Sequence, residues 1–246
     1  MKGQRLDERL VDEGLADNRT RARALIMSGV VLVDDVPVDK AGAAVKPESQ
    51  IRLKGAVRRF VSRGGEKLEG ALDDLAIDPS GLFCLDVGAS TGGFTDCLLQ
   101  KGARGVVALD VGTAQLHEQL RQDPRVHVHE RTNARELCAD HLPEPVDLVV
   151  VDVSFISIEL LLEPIQRAAP GAELLLMVKP QFEVGRESVG KGGVVRDDAL
   201  RDAAVDKIRD AAVALGYRER GRVDSRVHGP KGNREVFLHV YPSDRF

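Results

Sequence analysis

Residues 82–94 read Leu-Phe-Cys-Leu-Asp-Val-Gly-Ala-Ser-Thr-Gly-Gly-Phe, an apolar run that passes directly into a glycine-rich turn. The run from Leu82 to Val87 predicts a buried strand, and the residues from Phe94 onward have the spacing of a helix. Glycines let the backbone approach a ligand closely, and the N-terminus of the next helix offers free N–H groups. This stretch therefore predicts the ligand-binding turn of an α/β sheet.

The chain after this turn continues to alternate between apolar runs and helical stretches. Each apolar run has the length of a strand, and turn residues separate the runs. The alternation predicts an α/β fold of the Rossmann-like type, with a parallel sheet, helices on both faces and ligands at the carboxyl ends of the strands. The further predicted strands are residues 105–110, 125–128, 146–151, 172–178 and 235–240.

The glycine spacing separates two classes of nucleotide cofactor. Gly88, Gly92 and Gly93 form a Gly-x-x-x-Gly-Gly pattern, whereas the pyrophosphate of a dinucleotide requires Gly-x-Gly-x-x-Gly. The carboxylate of Asp86 suits a ligand with an amino group and a sulfonium better than a phosphate. We therefore expect S-adenosyl-L-methionine rather than a nicotinamide dinucleotide, although the strand pattern alone fits both.

Two polar residues suit the nucleoside part of this cofactor. Asp110 ends the second strand, where a carboxylate can accept both ribose hydroxyls. Asn133 either contacts the adenine edge or caps a short helix, and the two roles are compatible. The predicted cofactor-binding residues are Asp86, Gly88, Ala89, Ser90, Gly92, Gly93, Phe94, Asp110, Val111, Asn133 and Asp152.

The N-terminal part differs from the rest in charge. Residues 1–60 hold twelve Lys and Arg against nine Asp and Glu, whereas the whole chain of 246 residues has a formal net charge of −4. A glycine-containing basic stretch, residues 54–65, then interrupts the periodicity. We predict a small basic domain, residues 1–58, followed by an acidic domain, residues 59–246.

The order of elements in residues 3–55 resembles the S-four-type RNA-binding module, a small α+β domain. Helical spacing predicts a first helix that ends near Gly14 and a second that begins after an Asn18 cap. The tip of the following hairpin, Asp34-Asp35, departs from the usual Asn-Gly or Asp-Gly and leaves the turn type open. The strands predicted here are residues 30–33, 36–38 and 50–53.

Charged residues follow or begin three of the predicted strands of the larger domain. Asp152 and Lys179 each follow an almost purely apolar strand, which brings both to one rim of a parallel sheet. Glu235 begins the last strand. Lys67 lies beside the apolar stripe of a helix predicted from Glu66 onward, where a lone lysine is commonly a surface residue.

Five segments resemble the TlyA, or hemolysin-A, family, and the similarity spans nearly the whole chain. This family joins an S-four-type module to an FtsJ-like, class I methyltransferase domain with an antiparallel last strand. The resemblance implies a Lys-Asp-Lys-Glu tetrad on Lys67, Asp152, Lys179 and Glu235, and methylation of the ribose 2′-hydroxyl of cytidine in ribosomal RNA. The segments are residues 62–68, 86–94, 152–157, 178–183 and 190–197.

The implied tetrad suits this chemistry. A ribose hydroxyl is a poor nucleophile and must lose its proton as it attacks. Our hypothesis is that Lys179 takes the proton, with Lys67 nearby and with Asp152 and Glu235 holding the two ammonium groups in place. Alignment of the hydroxyl with an already activated methyl group should supply much of the rate.

Basic residues in both domains are candidates for binding RNA. Some lie on the two N-terminal helices, whose alternative interpretation is a pair of solvated faces. Others lie in residues 185–196 and 228–234, which would otherwise be ordinary loops. The predicted RNA-binding residues are Arg5, Arg19, Arg21, Arg23, Arg63, Lys191, Arg196 and Lys231, and the expected partner is ribosomal RNA or a ribosomal subunit.

Two other functions remain open at this point. A base amino-methyltransferase is one, because Asp152-Val153-Ser154-Phe155 faintly resembles the Asp-Pro-Pro-Phe that grips an exocyclic amine, but it leaves both lysines without a role. A membrane-active hemolysin is the other. The sequence opposes it, because it has no apolar run near the roughly 20 residues of a membrane span and no strongly amphipathic basic helix.

The remaining features indicate a cytoplasmic monomer without a metal. Cys84, Cys97 and Cys138 are far apart and each lies in an apolar stretch, so we expect buried free thiols in a reducing compartment. The histidines show no metal-ligand spacing. Aromatic residues make up only 4% of the chain, so base stacking is not the obvious mode of recognition.

Overall fold

The computed structural model describes residues 3–54, 59–185, 188–190, 192–229 and 232–243. The chain forms two compact units, Met1–Arg58 and Arg59–Phe246. Two of the predicted RNA-binding residues, Lys191 and Lys231, lie outside the described residues.

The first unit has the two predicted helices and a core of its own. Asn18 caps the second helix, and its side chain accepts a hydrogen bond of 2.9 Å from the backbone N–H of Arg21. Leu6, Leu10 and Ile26 are fully buried between the helices and the strands. The elements are β1 (Gln4–Arg5), α1 (Leu6–Asp12), α2 (Arg19–Met27), β2 (Val31–Val33), β3 (Val36–Pro37), β4 (Ala44–Val45) and β5 (Ile51–Leu53).

The hairpin between β2 and β3 has positive φ at both central residues, 51° at Asp34 and 67° at Asp35. These are the signs of a type I′ turn, which normally contains glycine or asparagine. The Asp34 carboxylate accepts a hydrogen bond from the N–H of Gln50, and Asp35 pairs with Arg52 at 2.6 Å. These contacts support a turn whose type the sequence had left open.

The second unit contains a seven-stranded sheet in the order β11-β12-β10-β9-β6-β7-β8. The strand β12 is antiparallel to both of its neighbours, and the pairs from β10 to β8 are parallel, which confirms the expected topology. Its strands are β6 (Phe83–Val87), β7 (Gly105–Leu109), β8 (Val126–His129), β9 (Leu148–Val151), β10 (Glu173–Val178), β11 (Tyr217–Asp224) and β12 (Val236–Pro242).

The edge strand β11 was not predicted. Its sequence, Tyr-Arg-Glu-Arg-Gly-Arg-Val-Asp, has no apolar run, and its register shifts between Glu219 and Gly221. It adds to β12 through backbone hydrogen bonds, and charged side chains are common on an edge strand. Hydrophobic patterning therefore gave no signal for it.

Helices cover both faces of this sheet, as the alternation predicts. Successive residues of the central strands point to opposite faces, so Val149 and Val151 join one buried cluster while Leu148 and Val150 join another. The helices of the unit are α3 (Arg63–Asp74), α4 (Gly93–Gln100), α5 (Glu118–Arg121), α6 (Glu159–Ala168), α7 (Pro180–Glu183) and α8 (Asp198–Ala214).

The helix α3 begins three residues before the predicted start at Glu66. The side chain of Ser62 caps it by accepting a hydrogen bond from the N–H of Gly64. A Cβ at Gly65 would collide with the ring of Phe60, so the first turn of α3 needs a glycine for packing. The glycines that appeared to break the helix therefore belong to it.

The cysteines are only partly as predicted. Cys84 and Cys97 are buried free thiols, and burial raises the pKa of each to about 12. Cys138 is half-buried, with its Sγ 3.3 Å from Nδ1 of His141. It precedes a short 3₁₀ turn at the surface, which explains why the apolar stretch around it does not bury it.

Candidate active site

The glycine-rich turn joins the carboxyl end of β6 to α4. Gly88 has a φ of +88°, and a Cβ there would collide with the carbonyl oxygen of Asp152, the residue after β9. Glycine at this position therefore lets the turn lie directly against the end of the neighbouring strand. The same rim carries the polar residues that follow β7, β9 and β10.

A first cavity of about 870 Å³ opens at this rim and is lined by Asp110, Val111 and Asn133. Both carboxylate oxygens of Asp110 accept backbone hydrogen bonds, from Ser90 at 2.8 Å and from Gly112 at 2.6 Å. Asn133 caps a 3₁₀ turn, which confirms the expected cap, and it also lines the cavity; its contact with the adenine edge stays a prediction. Each carboxylate oxygen has a second lone pair, which leaves acceptors for ligand hydroxyls.

A second cavity of about 400 Å³ lies between the glycine-rich turn and the start of α3. It is lined by six of the predicted cofactor-binding residues, Gly88, Ala89, Ser90, Gly93, Phe94 and Asp152. The other lining residues are Ser62, Arg63, Gly64, Lys67 and Thr91. Gly92 does not line it. A Cβ on Gly92 would collide with Leu120, and its φ of +94° starts α4, so its role is in the turn itself.

Asp86 lies apart from the cavities. It is fully buried, and its Oδ2 accepts hydrogen bonds from the N–H and the hydroxyl of Thr95, at 2.9 and 2.7 Å. Its Oδ1 has no hydrogen-bond partner among the described residues. Burial raises the pKa of this carboxyl to about 7. Its visible contact is therefore with the first turn of α4, and the expected contact with a ligand is not part of this geometry.

A third cavity of about 480 Å³ brings Lys67, Asp152, Lys179 and Glu235 together. Lys67 Nζ lies 2.5 Å from Oε2 of Glu235, and Lys179 Nζ lies 2.5 Å from Oδ1 of Asp152. The Lys179 ammonium also donates a 2.9 Å hydrogen bond to Oγ of Ser154. Two ammonium groups, each with its own carboxylate, therefore line one small space.

Different elements supply these four side chains. Lys67 comes from α3, and Asp152 and Lys179 follow the parallel strands β9 and β10. Glu235 precedes β12, whose antiparallel direction pairs Val236 with Val178 and so brings its first residues to the same rim. The exposed fraction is 1% for Glu235, 8% for Lys67 and 9% for Lys179, so the two lysines are not surface residues.

The three cavities adjoin one another. Asp152 lines all three, and Lys67 lines the second and the third. A ligand that extends through the first two cavities would therefore end beside the paired lysines. This arrangement fits a donor and an acceptor that meet at Asp152.

Two residues beside the cavities, Phe155 and Asn233, were absent from the predicted set. Phe155 is 92% exposed at a φ of +65°, lines the first and third cavities, and lies 5.1 Å from Phe182 between ring centroids. Asn233 is buried and connects two loops, accepting from the N–H of Val195 and donating to the carbonyl of Gly193. Phe155 stood within a quoted motif, but composition had argued against aromatic contacts.

The described basic residues form different groups. The buried carboxylate of Asp7 in the first unit pairs with Arg5, Arg19 and Arg23. Arg21 is exposed on α2, the helix that also carries Arg19 and Arg23. Arg63 lines the second cavity, and Arg196 is exposed in the loop before α8.

Comparison with known proteins agrees with this geometry. The family model described as FtsJ-like methyltransferase matches residues 60–241, and the S4 domain model matches residues 4–51. The chain belongs to the FtsJ-like methyltransferase family. Its sheet topology is the one that the family resemblance implied, with an S4 domain ahead of it.

Relatives of this FtsJ-like methyltransferase share both parts. This chain is 47% identical to the 16S/23S rRNA (cytidine-2′-O)-methyltransferase TlyA of Mycobacterium tuberculosis, over 95% of its own length and 88% of that protein. It is 40% identical to Hemolysin A of Brachyspira hyodysenteriae, over 96% and 98%. A solved structure of a hemolysin candidate from Streptococcus thermophilus matches with a TM-score of 0.74 and 37% identity, over 99% of this chain and 90% of that one.

The described part of this methyltransferase has no helix that is both long and apolar enough to cross a membrane. Within the same residues, no group of three or more His, Cys, Asp or Glu side chains is arranged to hold a metal ion. The expected monomeric state and cytoplasmic location stay predictions.

Proposed function

We propose that this protein transfers a methyl group from S-adenosyl-L-methionine to the ribose 2′-hydroxyl of cytidine in ribosomal RNA. In this proposal residues 1–58 bind the RNA and residues 59–246 carry out the reaction. The relative that matches over 95% of this chain and is named for this activity supports it.

One observation carries the proposal. Lys67 and Lys179 line a single cavity, each 2.5 Å from a carboxylate, and that cavity adjoins the two beside the glycine-rich turn. A hydroxyl acceptor needs a group that removes its proton, and a lysine amine can do so. An exocyclic amine has no comparable need for two lysines, so the base amino-methyltransferase is less well supported.

The residues around the first two cavities fit the proposed cofactor. The nucleoside would lie in the first cavity, with its ribose at Asp110 and its base near Val111 and Asn133. The amino acid part would lie in the second cavity against the glycine-rich turn. Asp86 does not line these two cavities, but its buried Oδ1 has no hydrogen-bond partner among the described residues and stays the acceptor that we predict for the amino group. When bound, the cofactor supplies a methyl group that its sulfonium already activates.

The tetrad would then act on the acceptor. Asp152 and Ser154 orient the Lys179 side chain, and Lys179, as the neutral amine left after its ammonium has released a proton to solvent, takes the proton from the 2′-hydroxyl as the oxygen–methyl bond forms and the sulfur–methyl bond breaks. Glu235 holds Lys67, whose ammonium stabilises the negative charge that develops on the attacking oxygen. Burial of Lys67, Lys179 and Glu235 limits their access to water and strengthens their electrostatic interactions.

Methyl transfer from labelled S-adenosylmethionine to ribosomal RNA and to ribosomal subunits tests the proposal. We expect nuclease digestion to leave the phosphodiester next to each methylated nucleotide uncut, because a 2′-O-methyl group removes the hydroxyl needed for cleavage. The variant Lys179→Ala should lose about 10²- to 10⁴-fold in rate, as is usual when a general base is removed. Labelled bases beside normally cleaved bonds would contradict the ribose proposal.

A further inference from the structure

A single buried carboxylate lies at the centre of the arginines of the first unit. Asp7, in the first turn of α1, is 0% exposed, yet it is within ion-pair distance of Arg5, Arg19 and Arg23. The arginines come from two places, one before α1 and two from successive turns of α2. The carboxylate therefore links both helices to one cluster of guanidinium groups, which we call the Asp7 cluster.

The contacts fix the direction of each guanidinium group. Arg5 approaches Asp7 in a fork, with Nε at 2.9 Å from Oδ1 and Nη2 at 3.1 Å from Oδ2. Arg19 and Arg23 both donate to Oδ2, at 3.2 and 3.1 Å. Because one donor from each of the three arginines reaches the same oxygen, Oδ2, the three guanidinium groups are close neighbours. The guanidinium groups hold the pKa of Asp7 well below its usual range, mainly through the hydrogen bonds from Arg5.

The backbone around Asp7 is shaped for this arrangement. The N–H groups of Leu6 and Asp7 donate to the carbonyls of Ala43 and Ala41. Between these two residues, a Cβ on Gly42 would lie 3.2 Å from the guanidinium of Arg5, a tight contact from which the Arg5 side chain would have to shift slightly. The loop thus holds the start of α1 while leaving room for the Arg5 side chain.

The cluster still presents positive charge to the solvent. The side chains of Arg5, Arg19 and Arg23 are 46%, 50% and 53% exposed. Each guanidinium has five N–H donors in a rigid plane, and Asp7 engages at most two of them. Asp7 together with the neighbouring Glu8 cannot neutralise three guanidinium groups, so free donors and net positive charge remain on one small surface.

We propose that Asp7 is a positioning residue that arranges Arg5, Arg19 and Arg23 into one phosphate-binding surface for the RNA backbone. This inference rests on the proposed function, because it assumes that the first unit binds RNA. It assigns to a buried acidic residue a favourable role in binding RNA, whereas charge counting alone predicts that an acidic residue weakens the binding of a polyanion. Ordered guanidinium groups lose less freedom when they engage phosphate, which is the physical source of the gain.

The test compares two variants that remove one negative charge from adjacent positions. Asp7→Asn removes the charge of the carboxylate that the three arginines share. Glu8→Gln removes the charge of a 40% exposed carboxylate that pairs with Nη1 of Arg19. We would measure binding of the full chain to a fluorescent RNA duplex across a KCl series, without a methyl donor. We expect Asp7→Asn to bind about tenfold more weakly, the equivalent of one lost charge-assisted hydrogen bond.

The salt dependence distinguishes positioning from simple stabilisation of the fold. Asp7→Asn should also reduce the slope of log affinity against log salt by about one, as expected for one lost phosphate contact. Glu8→Gln should bind RNA at least as tightly as the wild type, because Gln keeps a side-chain oxygen for Arg19 and Arg5 while one negative charge is lost. Tighter or unchanged binding by Asp7→Asn, with the wild-type slope, would overturn the inference.

A second pair of variants decides the question if Asp7→Asn does not fold. Arg23→Lys keeps the charge but loses the Nε–H donor to Asp7, and Arg52→Lys makes the same change in an exposed pair with Asp35. We expect only Arg23→Lys to weaken RNA binding; equal affinities for the two would overturn the inference. A wild-type chain that binds no RNA would instead contradict the RNA-binding part of the proposed function.

Discussion

At the residue scale, Lys67 and Lys179 enter the same cavity from different elements, each beside its own carboxylate. Such pairs are costly to bury, and removing one partner leaves an uncompensated charge. Glu235, at 1% exposed, has the least access to water of the four residues. The pairs therefore matter to stability as well as to chemistry, and the two contributions can be separated.

The variant Lys67→Met should lose activity and about 3 kcal/mol of stability, because it leaves Glu235 buried without its ammonium partner. The double variant Lys67→Met/Glu235→Leu should regain most of the stability, since an apolar pair replaces an ion pair, but no activity. Urea unfolding and methyl transfer measure the two effects. Recovery of activity in the double variant would show that Lys67 and Glu235 are structural only.

Asp86 should make stability depend on pH. Its folded pKa is raised to about 7, so its favourable protonated state is present at low pH and is lost as pH rises toward 7. We expect Asp86→Asn to remove the free-energy cost of burying an ionised carboxylate, while its amide oxygen still accepts the hydrogen bonds from Thr95. The gain in free energy of unfolding should be larger at pH 8 than at pH 5 by about 3 kcal/mol. Equal gains in urea unfolding at the two pH values would contradict the assignment.

At the scale of elements, the close approach of the β6–α4 turn to the end of β9 organises the site. The turn reaches Asp152 only because Gly88 has no side chain. The first and second cavities both include Gly88 and Asp152, so a shift of this contact would change both. The turn and the strand end therefore behave as one unit.

The variant Gly88→Ala tests this contact. A matched control is Gly81→Ala, because Gly81 also has positive φ, +72°, but open space around its Cβ position. The control should cost about 1 kcal/mol of backbone strain, and Gly88→Ala should cost more, because it adds a collision with the backbone of Asp152. Only Gly88→Ala should weaken binding of S-adenosylmethionine by calorimetry. Equal losses of stability and affinity in both variants would count against the contact.

At the scale of the whole molecule, the buried clusters follow the division of the chain. One cluster contains only residues of Met1–Arg58, and the two clusters that cover the faces of the seven-stranded sheet contain only residues of Arg59–Phe246. Each unit thus has its own hydrophobic core. A unit with its own core can fold without the other.

A chain of residues 59–246 should therefore fold and keep the unfolding temperature of the larger unit in the full protein. It should bind RNA much more weakly than the full chain, because it lacks the Asp7 cluster. Calorimetry and RNA titration measure the two outcomes. A shortened chain that aggregates or melts early would contradict independent folding, and undiminished RNA affinity would contradict the proposed role of the first unit.

The sequence by itself determined the local features of this protein. Continuous apolar runs separated by helical stretches predicted buried strands with helices on both sides. In the structure, successive residues of β9 and β10 enter the buried clusters on opposite faces of the sheet. The glycine-rich turn after Val87, the Asn18 cap and the charged residues at strand ends could all be recognised, because each depends on neighbours a few residues away. The edge strand β11 has no such pattern, and backbone pairing alone forms it.

Only the tertiary structure decided which of these residues meet. Lys67 and Glu235 are 168 positions apart, and their contact depends on the order and direction of the strands, which no local pattern encodes. Packing of α4 over the sheet buried Asp86 against Thr95 instead of in a cavity. Docking of α1 on α2 gathered three arginines around Asp7. These contacts arise from burial and chain topology, which act between distant residues only once the fold has formed.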